Sequence, residues 1–394
     1  MTPLRLSSRL PWEDPLNRLT QAVGERSARG LPTIDLTETN PTRVGLPYPE
    51  EELAELLGRG GAEYQPHPLG LPEAREALAE ALCRPGDPVS ADDLVLTAST
   101  SESYSFLFKL FGDPGDEVLT AAPSYPLLDS LAALDSLDLR YFHRRPARRF
   151  AIDPDLVELA FSPRTRLLAL VHPGNPTGTF LSIKEQEALA ALCASRSIPL
   201  VSDEVFADYP LAAPREGVRR AGPAAAASGD ALAFSLGGLS KSAGLPSWKL
   251  GWIRVGGPPS LRRRVVAALE LVADTYLSVS TPIQRALPAV LALAPRIRSL
   301  ILERLQGNLE ALRAALTDRP DVELYEPEGG WSAVLRFSHP STDEDLVLDL
   351  LTRAGVLVHP GYFFDFTSDD FLVISLLPEP ERFAEGVGRV VGFM

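Results

Sequence analysis

The chain has 394 residues, 45% hydrophobic and 23% charged, a balance that suits one or two packed domains and excludes a mainly disordered chain. Its 52 acidic side chains outweigh 38 basic ones for a formal charge of −14, which disfavours nucleic acid or an anionic membrane as partner. The two cysteines, Cys83 and Cys193, lie far apart, and with five histidines at no ligand spacing they indicate neither a disulfide framework nor a metal site.

From the N-terminus, prolines 3, 11, 15, 32 and 41 surround one helical pattern at 14–29, so the spacing predicts an arm and a linker there. Arg5 and Arg9 precede no apolar run, and no stretch reaches the ~18 apolar residues that span a bilayer. A cytoplasmic protein with neither signal peptide nor membrane anchor is the expectation. The segment 72–82 (PEAREALAEAL) has apolar residues at helical spacing and a proline suited to a first turn. Short apolar runs then recur at 94–97, 117–120, 139–142, 167–171, 199–202, 231–234 and 252–255, with helical patterns between them such as 103–111 and 183–195. Strand and helix alternating in this way predict a mostly parallel sheet covered on both faces.

The Ala, Pro and Gly-rich stretch 210–229 reads as a loop insertion. Helical patterning returns at 258–273 and 295–316. Short strands are then expected at 322–325, 332–336, 356–359 and 372–376, with helices at 343–353 and 379–391. The fold class is therefore α/β, a large domain with a mostly parallel sheet and a smaller α+β domain. We divide the chain into an N-terminal arm and small-domain segment (1–45), a large domain (46–289) and a small C-terminal domain (290–394).

Four short motifs follow these strands. Thr97-Ala98-Ser99-Thr100-Ser101-Glu102 ends a strand and opens a helix; it reads equally as a capped helix or as an anion site made of free amides. Pro123-Ser124-Tyr125-Pro126 offers an aromatic ring that packs in a core or stacks on a ligand. His172-Pro173-Gly174-Asn175-Pro176-Thr177-Gly178 locks an amide at the C-terminal edge of a strand, where ligands of open α/β sheets bind. Ser202-Asp203-Glu204-Val205-Phe206 sets a carboxylate at the next such edge, as a cap or as a functional group. A fifth stretch, Gly237-Gly238-Leu239-Ser240-Lys241, holds an amine among small residues with a hydroxyl beside it. Alone it reads as a surface turn or as a lysine placed for covalent chemistry.

These motifs, in this order over about 36–375, resemble the fold-type I pyridoxal-phosphate enzymes, in particular the class I/II aminotransferases. The resemblance implies that Lys241 forms a Schiff base with the cofactor aldehyde and shuttles the proton, and that Asp203 pairs with the pyridine nitrogen. It further implies that Tyr125 stacks on the ring and Asn175 donates to the ring oxygen and touches substrate. Thr100, Ser101, Glu102 and Ser240 would hold the phosphate, with Lys249 where the family has an arginine. Tyr64 matches a tyrosine that reaches the cofactor phosphate of a second subunit, so a homodimer with shared sites is implied. The partners expected are an amino acid and a 2-oxo acid.

The sequence also departs from the family. Lys249 keeps a charge but loses the two-pronged geometry, and Gly238 removes a serine hydroxyl. Phe206 stands where a tyrosine would donate to the ring oxygen. Aligning on Ser375 puts Val373 in place of the arginine that grips the substrate carboxylate. Arg43 is the substitute expected here, with Arg336 and His359 as alternatives. Amino transfer is the activity implied; a lyase, decarboxylase or racemase on the same scaffold is the alternative. A ligand-sensing regulator and a pseudo-enzyme are disfavoured, the first by the short N-terminus and the second by intact Lys241, Asp203 and Asn175.

Overall fold

The computed structural model describes residues 5–11, 16–58, 64–214, 218–277, 279–338 and 341–393. The first strand, β1 (Ile34–Asp35), is followed by seven that form the large sheet: β2 (Leu94–Thr97), β3 (Glu117–Ala122), β4 (Asp138–His143), β5 (Thr165–Val171), β6 (Leu200–Asp203), β7 (Ala233–Gly238) and β8 (Gly251–Gly256). Their spatial order is β2-β8-β7-β6-β5-β3-β4, and every pair is parallel except those made by β8. The expected mostly parallel sheet is thus present.

Both faces of this sheet are covered because both alternating sets of side chains are apolar. Val118, Leu167, Ala169 and Val201 turn to one face, under Phe106 and Leu107 of helix Thr100–Phe111 and Leu269 of helix Pro259–Tyr276. Leu119, Leu168, Leu170 and Leu200 turn to the other, under Val157 of Pro154–Ala160 and Leu189 of Ile183–Arg196. A continuous apolar run with period two on two buried faces is what a parallel sheet needs.

The C-terminal part adds β9 (Val322–Tyr325), β10 (Ser332–Phe337), β11 (Val356–Leu357), β12 (His359–Pro360) and β13 (Phe371–Ser375). β12-β13-β10-β9 form an antiparallel sheet, while β11 pairs with β1 and so ties the N-terminal segment to this part. The single strand expected at 356–359 is therefore two, belonging to different sheets. Helix Pro380–Phe393 and the small sheet share one core with the long helix Thr281–Leu316.

That long helix begins well before the expected start at 295, and Pro288 and Pro295 lie inside it. An interior proline costs about 3 kcal/mol or more. Leu287, Val290, Ala294, Ile297, Ile301, Leu305, Leu309 and Leu312 are all buried on one stripe, and each large apolar side chain contributes about 1.5–3 kcal/mol. Packing outweighs the prolines, and the helix runs unbroken through the expected boundary at 289/290. Helices Glu50–Gly58, Leu127–Leu134 and Pro154–Ala160 lie outside the sequence expectations. The first helix is Arg18–Ala28 within the expected 14–29, of which 14 and 15 lie outside the described residues. Among the described residues no helix is long and apolar enough to cross a membrane.

Candidate active site

The C-terminal ends of β2, β3, β5, β6 and β7 meet at one edge of the large sheet, and the small sheet faces them. Between the two lies a cavity of about 320 Å³. Thr100, Ser101, Tyr125, Asn175, Asp203, Phe206, Ser240 and Lys241 all line it, brought together from five separate turns.

Lys241 sits on a short helix, Leu239–Ser242, directly after β7. The strand expected at 231–234 in fact continues to Gly238, so the two glycines are sheet and not turn. At Gly237 a Cβ would come within 2.5 Å of the Trp252 indole, so this glycine serves packing; at Gly238, on the cavity wall, a Cβ meets nothing closer than 3.4 Å. The Lys241 carbonyl accepts a hydrogen bond from the Tyr209 hydroxyl. Its Nζ lies 4.7 Å from the centre of the Trp331 ring and 5.6 Å from that of Phe206. Burial pushes the amine down to about 8, with Asp203 opposing, so near neutrality it is poised to lose its proton.

Asp203 ends β6 and is buried. Burial pushes its carboxyl up to about 6, while the Val205 amide, the Tyr104 hydroxyl and the nearby Lys241 amine favour the anion. The Val205 N–H donates to Oδ1 at 3.2 Å. Tyr104 is itself buried and held in its protonated form, first by burial and then by Asp203. A carboxylate and an amine of perturbed acidity in one cavity are acid–base groups near working pH.

At the far end, Ser99 caps helix Thr100–Phe111 by accepting from the Glu102 amide at 3.2 Å. The Glu102 carboxylate turns back to accept from the Ala98 amide at 2.6 Å. Glu102 is thus occupied in holding the helix start, away from the cavity wall, while Ser99, Thr100 and Ser101 face inward. The amides at such a start attract an anion.

Lys249, Tyr64, Arg43 and Arg336 fall outside the cavity. Lys249 is exposed on a left-handed turn with φ of 48°, and Tyr64 is 63% exposed. Arg43 extends into solvent with Glu38 at 3.9 Å, and Arg336 is paired with Asp370 at 2.6 Å. Val373 and His359 both line the cavity. Ser375 donates from Oγ to the Glu38 carbonyl at 2.6 Å, fastening the N-terminal segment whose Thr37 and Thr39 also reach the wall.

Sequence reading missed Tyr104, Tyr209 and Trp331. Tyr104 lies four residues after Thr100, on the same helix face, and that spacing could have suggested it. Trp331 gave only a weak signal, following Gly329-Gly330 at the start of β10. Its indole Nε1 is buried with no hydrogen-bond partner among the described residues, an unspent donor in the wall beside the amine.

The family model described as aminotransferase class I and II matches residues 35–389. The chain is 27% identical to an alanine aminotransferase of Mycobacterium tuberculosis, over 79% of this chain and 73% of that one. It is 31% identical to a capreomycidine synthase of Streptomyces vinaceus, over 73% and 71%. An alanine aminotransferase structure from Pyrococcus furiosus superposes with a TM-score of 0.89 at 26% identity, covering 99% of each chain.

Proposed function

The chain belongs to the class I and II aminotransferases, and on that footing we propose that it moves an amino group between an amino acid and a 2-oxo acid with pyridoxal phosphate as cofactor. The observation that carries this reading is a desolvated amine, Lys241, sharing one cavity with a buried carboxylate, Asp203, at the edge where the strands end. The donor set fits the cofactor: a helix start and hydroxyls for a phosphate, a ring on Tyr125, an amide on Asn175 and an orphaned indole N–H on Trp331.

When bound, pyridoxal phosphate supplies an electron-withdrawing ring and an aldehyde carbon able to exchange nitrogen. Asp203 holds a proton on the ring nitrogen. Lys241 would hold the cofactor through its aldehyde and, as a base near neutrality, would move the proton at the substrate α-carbon. Thr100, Ser101 and Ser240 would hold the phosphate, Tyr125 would orient the ring, and Asn175 would donate to the ring oxygen and meet the substrate. Phe206, lying edge-on to Trp331 at 5.4 Å, excludes water but gives the ring oxygen no hydrogen bond. Lys249 adds charge from outside. We place the protein in the cytoplasm as a homodimer in which Tyr64 reaches the neighbouring site.

A second reading, a lyase, decarboxylase or racemase, is favoured by Val373 and by the relative named a synthase. Both are tested by adding pyridoxal phosphate, recording the visible spectrum, and supplying amino acids labelled on nitrogen together with a 2-oxo acid. Label recovered on the oxo acid, with yellow colour that Lys241→Ala abolishes, supports amino transfer. Ammonia or carbon dioxide released without label transfer moves the second reading to first place.

A further inference from the structure

On the face of the small sheet that closes the cavity, Val373 is paired across the strands with His359 on one side and Val334 on the other. Residues directly opposite in an antiparallel pair project to the same face, and both Val373 and His359 line the cavity. Val373 is 1% exposed, packed with Phe364 and Phe371, and offers no charge. Among the described residues of the wall, Lys241 and His359 are the only ones able to carry positive charge. Lys241 faces Asp203 and the Trp331 ring.

The His359 ring is held edge-on to Phe364 at 5.7 Å and tilted against Phe363 at 5.8 Å. Its Nδ1 is buried with no hydrogen-bond partner among the described residues. A fixed imidazole on the cavity wall beside the valine, with its buried nitrogen unpaired, is able to meet a ligand group there. We propose that His359 receives the carboxylate of the substrate, taking one proton from solvent as the carboxylate arrives, in the place that Val373 leaves without charge. The proposal rests on the aminotransferase reading.

Burial keeps the free imidazole below its ordinary range, with Asp35 of β1 pulling the other way. Lys241, Asp203 and Tyr125 share the cavity wall with it. Asp343, on the helix packed against β12, is engaged by the Tyr362 amide at 3.0 Å. An incoming carboxylate offsets the desolvation that holds the ring neutral, so carboxylate binding and proton uptake are linked. One imidazolium replaces a two-pronged fork, so the grip is looser and less directional.

The test is calorimetric titration of the cofactor-loaded protein at pH 7, in two buffers of different ionisation heat. The probes are hydrocinnamate and its matched alcohol, hydrocinnamyl alcohol. The wild type is expected to take up close to one proton with hydrocinnamate and none with the alcohol. His359→Gln and His359→Asn, which place an amide near Nε2 and Nδ1 respectively, should lose roughly tenfold or more in hydrocinnamate affinity and the proton uptake, with the alcohol changed by less than about twofold. Equal weakening of both probes, or undiminished proton uptake in both variants, overturns the proposal. Because the readout is binding and not turnover, failed amino transfer with intact proton-linked binding sinks the functional reading alone.

Discussion

Lys241 and Asp203 are both held where their charged forms are disfavoured, and the fold bears that cost. The amine is pushed down to about 8 and the carboxyl up to about 6. For the amine, stability is lost as pH falls through about 8, since the unfolded chain still binds the proton there. For the carboxyl, stability is lost as pH rises through about 6. At pH 7 both penalties apply, each on the order of 1–3 kcal/mol. Lys241→Met and Asp203→Asn should therefore each raise the thermal midpoint of the cofactor-free protein at pH 7 while abolishing activity. Because the two charges attract, the double variant should gain more than the sum of the singles; a scanning calorimeter checks all three, and lowered midpoints would mean the site is not strained. Gly238 and Gly237 make a second contrast. Gly238→Ser finds ordinary contacts and adds a hydroxyl to the wall, so pyridoxal phosphate should bind more tightly. Gly237→Ala drives a methyl into the Trp252 indole, and overpacking of this kind typically costs about 1–3 kcal/mol. Spectral titration with the cofactor and a thermal melt read the two effects.

Helix Thr100–Phe111 performs two tasks with one set of residues. Its start presents amides to the cavity, and its next turn brings the Tyr104 hydroxyl to Asp203. The cap that fixes this geometry is Ser99 with Glu102 answering at Ala98. Ser99→Ala should cost about 1 kcal/mol of stability and weaken pyridoxal phosphate binding several-fold, because the amides are no longer aimed. A loss of stability with unchanged cofactor affinity would place the phosphate elsewhere. Thr281–Leu316 shows the same principle from the packing side: two interior prolines are tolerated because its buried stripe joins the N-terminal segment, the small sheet and the C-terminal helix in one core.

At the scale of the molecule, the cavity belongs to neither sheet alone. The large sheet brings the groups proposed for the chemistry, and the small sheet with the N-terminal Thr37 and Thr39 supplies the opposite wall. Ser375 joins these parts through its bonds to Glu38 and the Leu377 amide. Tyr64 is 63% exposed and outside this chain's cavity wall, and the homodimer proposed above gives it a place at the neighbouring site. Sedimentation should therefore report a dimer, and Tyr64→Phe should weaken pyridoxal phosphate binding several-fold without dissociating it. A monomer with full cofactor affinity would remove Tyr64 from the site.

The sequence by itself determined the strand–helix alternation and the five motifs, because each is local. Apolar runs of period two, a turn of prolines and glycines, and a cap at its helix start depend on neighbours along the chain. The family resemblance that those motifs carry is why Lys241, Asp203, Asn175, Tyr125, Thr100 and Ser101 could be named; that they converge on one cavity is set by the strand order of the large sheet. Local signals misjudged the long helix, whose prolines argue against it while distant packing decides for it, and they ended β7 before the glycines that the sheet buries. Which cation lines the cavity is only partly legible, since the sequence reading puts Arg43 first, with Arg336 and His359 as alternatives. Arg43 and Arg336 carry the right charge, but solvent and Asp370 hold them away. His359 reaches the cavity through its cross-strand pairing with Val373, a contact between residues fourteen positions apart that register alone creates. Charge is written in the sequence; the direction in which it points is set by tertiary packing.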